Sequence, residues 1–149
     1  MKIHDFQDSL KVGTAAEKAF LEALDEYLAP YPKRAADFMF KATGELVELK
    51  SDSYDLAKTE NVFMERYSDV LRRKDGGPWQ SLGHGVHHYV YFFPRNRTCF
   101  WFNTAELVHR LETTQKDNQL IYIPNRGFAS AGWKVSRDVL KDLYWEIKL

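Results

Sequence analysis

The segment RAADFMFKATGELVELKSD, Arg34 to Asp52, constrains the fold more than any other part of the chain. Two short apolar runs, ADFMF and ELVELK, flank KATG, where Gly44 can take the positive φ of a tight turn, so the spacing predicts an antiparallel hairpin. Successive side chains of a strand point to opposite faces. Val47 and Leu49 therefore share a core-facing side, and Glu48 and Lys50 share the other. Asp37 opens the partner strand, which brings its carboxylate beside Glu48 at one end of the sheet. Charged groups on such runs need a partner or a task, because an unpaired buried charge is costly.

Two adjacent carboxylates repel, and one of them tends to take up a proton unless a cation intervenes. Their hard oxygens, supplemented by a backbone carbonyl and waters, suit Mg²⁺. Lys50 then stands beside the same place, able to position or deprotonate a water or to neutralise charge developing on a phosphate. These are the parts that phosphodiester hydrolysis requires. The plain alternative is a solvated Glu48–Lys50 pair on an exposed face, and the three residues alone leave both readings open.

The rest of the chain alternates helices with strands. Residues Ala16, Phe20, Ala23, Leu24 and Tyr27 or Leu28 recur at helical spacing, and Thr14 with Glu17 fits a capping box, which predicts a helix starting after Gly13 and ending before Pro30. NVFMERYS reads as a strand in preference to a helix start, and a short helix is predicted near Pro78, after Gly76-Gly77. HHYVYFF and TCFWF are strands, Asn103 or Thr104 caps the helix AELVHRLE, NQLIYIPN and GWKV are late strands, and SRDVLKDLYWEI closes the chain as an amphipathic helix. That order predicts one mixed α/β (α+β) domain over residues 1–149, with a central mixed sheet flanked by helices.

With 44% hydrophobic and 15% aromatic residues the chain belongs with ordered globular domains. Lys+Arg and Asp+Glu each number 21, so net charge gives no sign of a polyanionic partner, although a local basic face remains open. The lone Cys99 excludes an internal disulfide and a cysteine zinc cluster, and its aromatic context predicts a buried thiol. No leader-like or membrane-length apolar run is present, from which a soluble, cytoplasmic protein is expected.

The hairpin pattern A-D-x(10)-E-x-K, from Ala36-Asp37 to Glu48-Leu49-Lys50, resembles the PD-(D/E)XK nuclease superfamily, with Ala36 where that superfamily often has proline. The order of elements, ELKSDSYDLAKTENVFMERYSD, GGPWQSLGHGVHHYVYFF and the C-terminal NRGFASAGWKVSRDVL are similar to its small phage-type, junction-resolvase-like members, which carry E-V-K-x-D followed by T-G-N-x-x-x-E. Asp52, Thr59, Asn61 and Glu65 stand at matching positions, while Glu60 replaces the glycine. The resemblance implies a restriction-endonuclease-like fold and a Mg²⁺-dependent endodeoxyribonuclease, with Mn²⁺ as a substitute ion. Asp37, Glu48 and the Leu49 carbonyl would hold the metal. Glu17, on the preceding helix, would add a ligand, its alternative being a helix cap or an exposed residue. Lys50 would activate water, and Glu65 would assist near the site, its alternative being a surface ion pair. The competing implication is a catalytically inactive nuclease-fold module that binds nucleic acid or protein. DNA is the expected substrate, and cutting both strands would favour a homodimer.

Arg34, Asn61, Arg72, Arg73 and Lys74 are the candidate DNA contacts, against a default of ordinary solvated positions. His84, His87 and His88 have no recognised metal-ligand spacing, and on a strand His87 and His88 point apart, which favours structural or backbone-contacting roles. The tryptophans and tyrosines recur at core spacings and are expected to pack rather than to stack on bases.

Overall fold

The computed structural model describes the backbone from Phe6 to Leu149 and side chains from Ala15 onward. Helix α1 (Phe6–Leu24) leads into β1 (Leu28–Pro30), β2 (Phe38–Phe40) and β3 (Leu46–Ser51). After a 3₁₀ turn come β4 (Asn61–Asp69), β5 (Lys74–Asp75), helix α2 (Gly77–Gly83), β6 (His88–Phe93) and β7 (Thr98–Asn103). Helix α3 (Thr104–Thr114), β8 (Ile121–Asn125), β9 (Phe128–Ser136), the short α4 (Arg137–Leu140) and β10 (Tyr144–Lys148) complete the chain.

The fold is mixed α/β. A six-stranded sheet has the order β1-β2-β3-β6-β7-β10, and a four-stranded antiparallel sheet the order β5-β4-β9-β8. Within the first, β3 and β6 run parallel, with Glu48 opposite Tyr89 and Lys50 opposite Tyr91. Parallel neighbours need a long crossover. Here that crossover contains β4, β5 and α2, so the strand carrying Glu65 enters the second sheet instead of extending the first.

Alternation sorts the core into two layers. On one face of the large sheet, Val47, Leu49, Val90, Phe92 and Cys99 pack with Ala16 and Phe20 of α1. On the other, Tyr89, Tyr91, Phe93, Phe100 and Phe102 meet Val62 and Met64 of β4, Trp133 and Val135 of β9, and Leu107 and Leu111 of α3. Strand β6 is buried on both faces, which explains why HHYVYFF reads as a nearly continuous apolar run. Cys99 is fully buried, and burial pushes its thiol up to about 12, so it behaves as an inert apolar residue.

Two expectations need correction. Helix α1 begins at Phe6, so Gly13 and Thr14 lie inside it and no capping box starts there; the side chain of Thr14 lies outside the described residues. A Thr-x-x-Glu pattern looks the same within a helix as at its start, and one interior glycine costs only about 1 kcal/mol. At the other end, SRDVLKDLYWEI is not one helix. Ser136 caps a single turn, accepting from Asp138 N–H at 3.3 Å, and the chain then extends as β10 against β7, from Tyr144 opposite Phe102 to Lys148 opposite Thr98. The segment YWEIK alternates with period two, a strand signal that the longer helical pattern obscures.

Candidate active site

The hairpin forms as its sequence dictates. Phe38 pairs with Val47 and Met39 with Leu46, and Gly44, at φ 76°, donates its N–H to the Phe40 carbonyl at 2.8 Å. Asp37 immediately precedes β2. Its Oδ2 accepts the Leu49 N–H at 2.8 Å, while its own N–H donates to the Val47 carbonyl at 3.1 Å. A strand residue directs its N–H and C=O to the same side. The Leu49 carbonyl therefore faces the edge that Asp37 occupies, just beyond the start of β2.

Three acids meet at this edge. Glu48 comes from the inner face of β3 and Glu17 reaches across from α1, and each hydrogen-bonds to the Asp37 side chain when one partner carries a proton. Burial, reinforced by the Asp37 charge, raises Glu48 to about 8; Lys50 pulls the other way, and Glu17 adds a smaller upward push. Glu17 is also raised, first by burial and then by Asp37, with Lys50 opposing. The capping role for Glu17 gives way to this contact.

Beyond Lys50 lies a cleft of about 280 Å³, lined by Lys50, Asp52, Phe63, Glu65, Tyr89 and Tyr91 among others. The strand alternation that places Phe63 and Glu65 on one side leaves Val62 and Met64 in the core. Glu65 accepts a hydrogen bond from the Gly77 N–H; burial raises its carboxyl, and Lys50 lowers it. Tyr91 donates its hydroxyl proton to Asp52 Oδ2 at 2.6 Å and accepts from Phe63 N–H at 3.1 Å, tying the end of β3 to β4. The phenol of Tyr89 is raised well above its ordinary value, first by burial and then by the nearby Glu48 and Glu65 charges.

Glycines shape the surroundings of Glu65, and here sequence reading missed a contribution. A Cβ on Gly76 would strike Glu65 Oε1, one on Gly77 the Glu65 carbonyl, and one on Gly132 would lie 2.8 Å from Glu65 Cα. GGP reads as a simple break before a helix. The requirement for glycine comes instead from β9 and the start of α2 closing on one residue of β4, a long-range packing constraint.

The other candidates scatter. Asn61 begins β4 opposite Ser136, with its N–H on the Thr59 hydroxyl at 3.2 Å, and does not line the cleft. Arg34 is exposed in the turn before Asp37. Arg72 and Arg73 belong to the β4–β5 connection, where Arg72 pairs with Asp69 at 2.7 Å and Arg73 lies over the Tyr67 ring, Lys74 opens β5 opposite Asp69, and none of the three lines the cleft. The histidines do not converge on the acids. His84 follows α2 in the open, and His87 Nδ1 accepts from Leu46 N–H at 3.3 Å. His88 Nδ1 accepts from Trp101 Nε1 at 3.0 Å, which puts its proton on Nε2, 3.7 Å from Glu45.

The donor chemistry fits a divalent cation. Two adjacent carboxylates, one of them half-buried and held protonated near neutrality, together with a carbonyl on the same edge, are hard oxygen ligands whose mutual repulsion an ion would relieve. Among the described residues no three acid, histidine or cysteine side chains already stand around one point. The fitting set is therefore Asp37, Glu48 and the Leu49 carbonyl, with Glu17 adjoining through Asp37. Compared with known protein families and with curated proteins, the chain gives no match.

Proposed function

We propose that this chain is a metal-dependent endodeoxyribonuclease of the PD-(D/E)XK type, with a restriction-endonuclease-like core, hydrolysing DNA phosphodiester bonds with Mg²⁺ or Mn²⁺. One observation carries the reading: Asp37, Glu48 and Glu17, drawn from a loop, a strand and a helix, converge on one edge with Lys50 next to them, and Glu48 is half-buried and raised to about 8. A bound cation would polarise the phosphate and acidify a water. Asp37 and Glu48 would hold it, assisted by the Leu49 carbonyl. Lys50, exposed at the mouth of the cleft, would orient the water or neutralise the developing charge as the phosphodiester is attacked in line, leaving a 5′-phosphate as that superfamily generally does. Glu65, fixed by the Gly77 N–H, keeps an opposing charge near the ammonium and limits where it can swing.

Cleavage of supercoiled plasmid in Mg²⁺ tests this. Lys50→Ala removes an exposed side chain, so it should fold as wild type and lose cleavage by roughly a hundredfold or more; undiminished cutting by that variant overturns the assignment. The competing reading, a nuclease-fold binding module without activity, is favoured by the zero net charge and by the lack of a ready-made three-residue clasp among the described residues. It predicts no heat of Mg²⁺ or Mn²⁺ binding in calorimetry, whereas the nuclease reading predicts a signal that Asp37→Asn abolishes.

A further inference from the structure

The two sheets have four edges, and three are blunted against pairing. Strand β1 has three residues and ends in Pro30, β5 has two residues, and β8 contains Pro124. Strand β10 is different: five residues long and free of proline, it forms the outer edge of the large sheet. Leu149 N–H donates to the Arg97 carbonyl at 2.8 Å, so the odd-numbered residues of this stretch bond inward to β7. By alternation, the N–H and C=O groups of Glu146 and Lys148 point out from the edge.

Among the described residues, the face beside this edge is apolar and uncovered. Leu24, Tyr27, Phe40, Trp101, Trp145 and Ile147 line a groove of about 230 Å³, with Trp145 74% and Tyr27 58% exposed. Ala16 and Phe20 of α1 cover the β2–β3–β6 side of the sheet, and among the described residues the β10 side is open.

We propose that a second copy of this chain occupies the edge, its β10 pairing antiparallel with the first about a two-fold axis at Ile147. The charges select this partner and this register. Centred on Ile147, the pairing sets Glu146 of each copy opposite Lys148 of the other, in the positions whose backbone groups face outward and can bond. Centred one residue earlier, it would set Glu146 against Glu146, and like charges directly opposite are destabilising. The same register lays Trp145 opposite Leu149 of the second copy, so the two apolar grooves merge across the axis. This assembly is independent of the chemistry of the cleft, which lies on β3, three strands away.

Sedimentation equilibrium on the full chain tests the partner. The wild type should sediment at twice the mass of one chain. Glu146 and Lys148 are both exposed, so their substitution leaves the fold intact. Glu146→Lys or Lys148→Glu alone places like charges opposite each other twice by symmetry and should weaken the dimer at least about tenfold, while the double exchange should restore it. A monomeric wild type overturns the proposal, as does a dimer indifferent to the single changes or one that the exchange fails to restore. The register has its own test, Ile147→Cys, made with Cys99→Ala because Ile147 stands opposite Cys99. Facing residues at a non-hydrogen-bonded antiparallel position lie about 4.5 Å apart at Cα, within disulfide reach. Oxidation should give a covalent dimer, and its absence from a protein that still sediments as a dimer refutes the register.

Discussion

Replacing Glu48 with glutamine separates electrostatic strain from fold. In the metal-free protein the Glu48 carboxyl is held near 8, against an ordinary value of 4.5, by burial first and the Asp37 charge second. Because the folded value is the raised one, the stabilising contribution of the protonated form is complete below about pH 4.5 and is lost as pH climbs through about 8. A shift of that size corresponds to a ceiling of about 5 kcal/mol at 1.36 kcal/mol per unit. Glu48 is only half-buried, so solvent screening brings the expected effect down to roughly 2–3 kcal/mol. Glutamine has no proton to lose. Urea unfolding of both proteins in EDTA should therefore give a stability difference that moves toward the glutamine variant by that amount between pH 4.5 and 8. Adding Mg²⁺ at pH 8 should recover stability in the wild type and not in the variant. A difference that stays constant over this range would refute the convergence of acids at the β3 edge.

Other substitutions probe the surroundings. Tyr91→Phe deprives Asp52 of its 2.6 Å donor and Phe63 N–H of its acceptor, and should cost roughly 1–2 kcal/mol, lowering Tm by about 3–6 °C in calorimetry. Gly132→Ala forces a methyl into the Met64 carbonyl and against Phe63 across the β4–β9 ladder, and a loss of roughly 2–3 kcal/mol in denaturant unfolding is expected. Gly76→Ala displaces the Glu65 carboxylate; plasmid cleavage should fall roughly tenfold or more, and Gly76→Ala with wild-type cleavage would remove Glu65 from the site.

What the sequence made legible was mostly local. The Asp37–Lys50 hairpin needs only a turn glycine and strand alternation, and both are visible in nineteen consecutive letters, Arg34 to Asp52. The buried strands β6 and β7 declare themselves by unbroken aromatic runs, and α3 by Asn103, whose side chain accepts from Glu106 N–H at 3.0 Å. Long-range pairing was less visible. Nothing near Asn61 shows that it lies opposite Ser136, so the second sheet that stands beside the central mixed one is not visible in the sequence. The end of the chain is ambiguous in sequence because DVLKDLYWEI satisfies a helical period and a strand period over overlapping windows. The free edge of β7 decides between them, by offering β10 a ladder of backbone partners. Of the candidate site, Asp37, Glu48 and Lys50 follow from the hairpin and its alternation, whereas Glu17, on a helix, enters only through the family resemblance. The basic residues did not, because charge in a sequence says nothing about which way a hairpin tip points.

The crossover from β3 to β6 has a consequence for biosynthesis. During translation the acidic hairpin emerges early, but β4 finds its partner only when β9 has left the ribosome, since Asn61 pairs with Ser136. Until then Glu65 lacks the wall that Gly132 of β9 builds behind it. A half-made chain thus holds Asp37, Glu48 and Lys50 without the walls of the cleft, so under the proposed function cleavage would wait for the finished molecule.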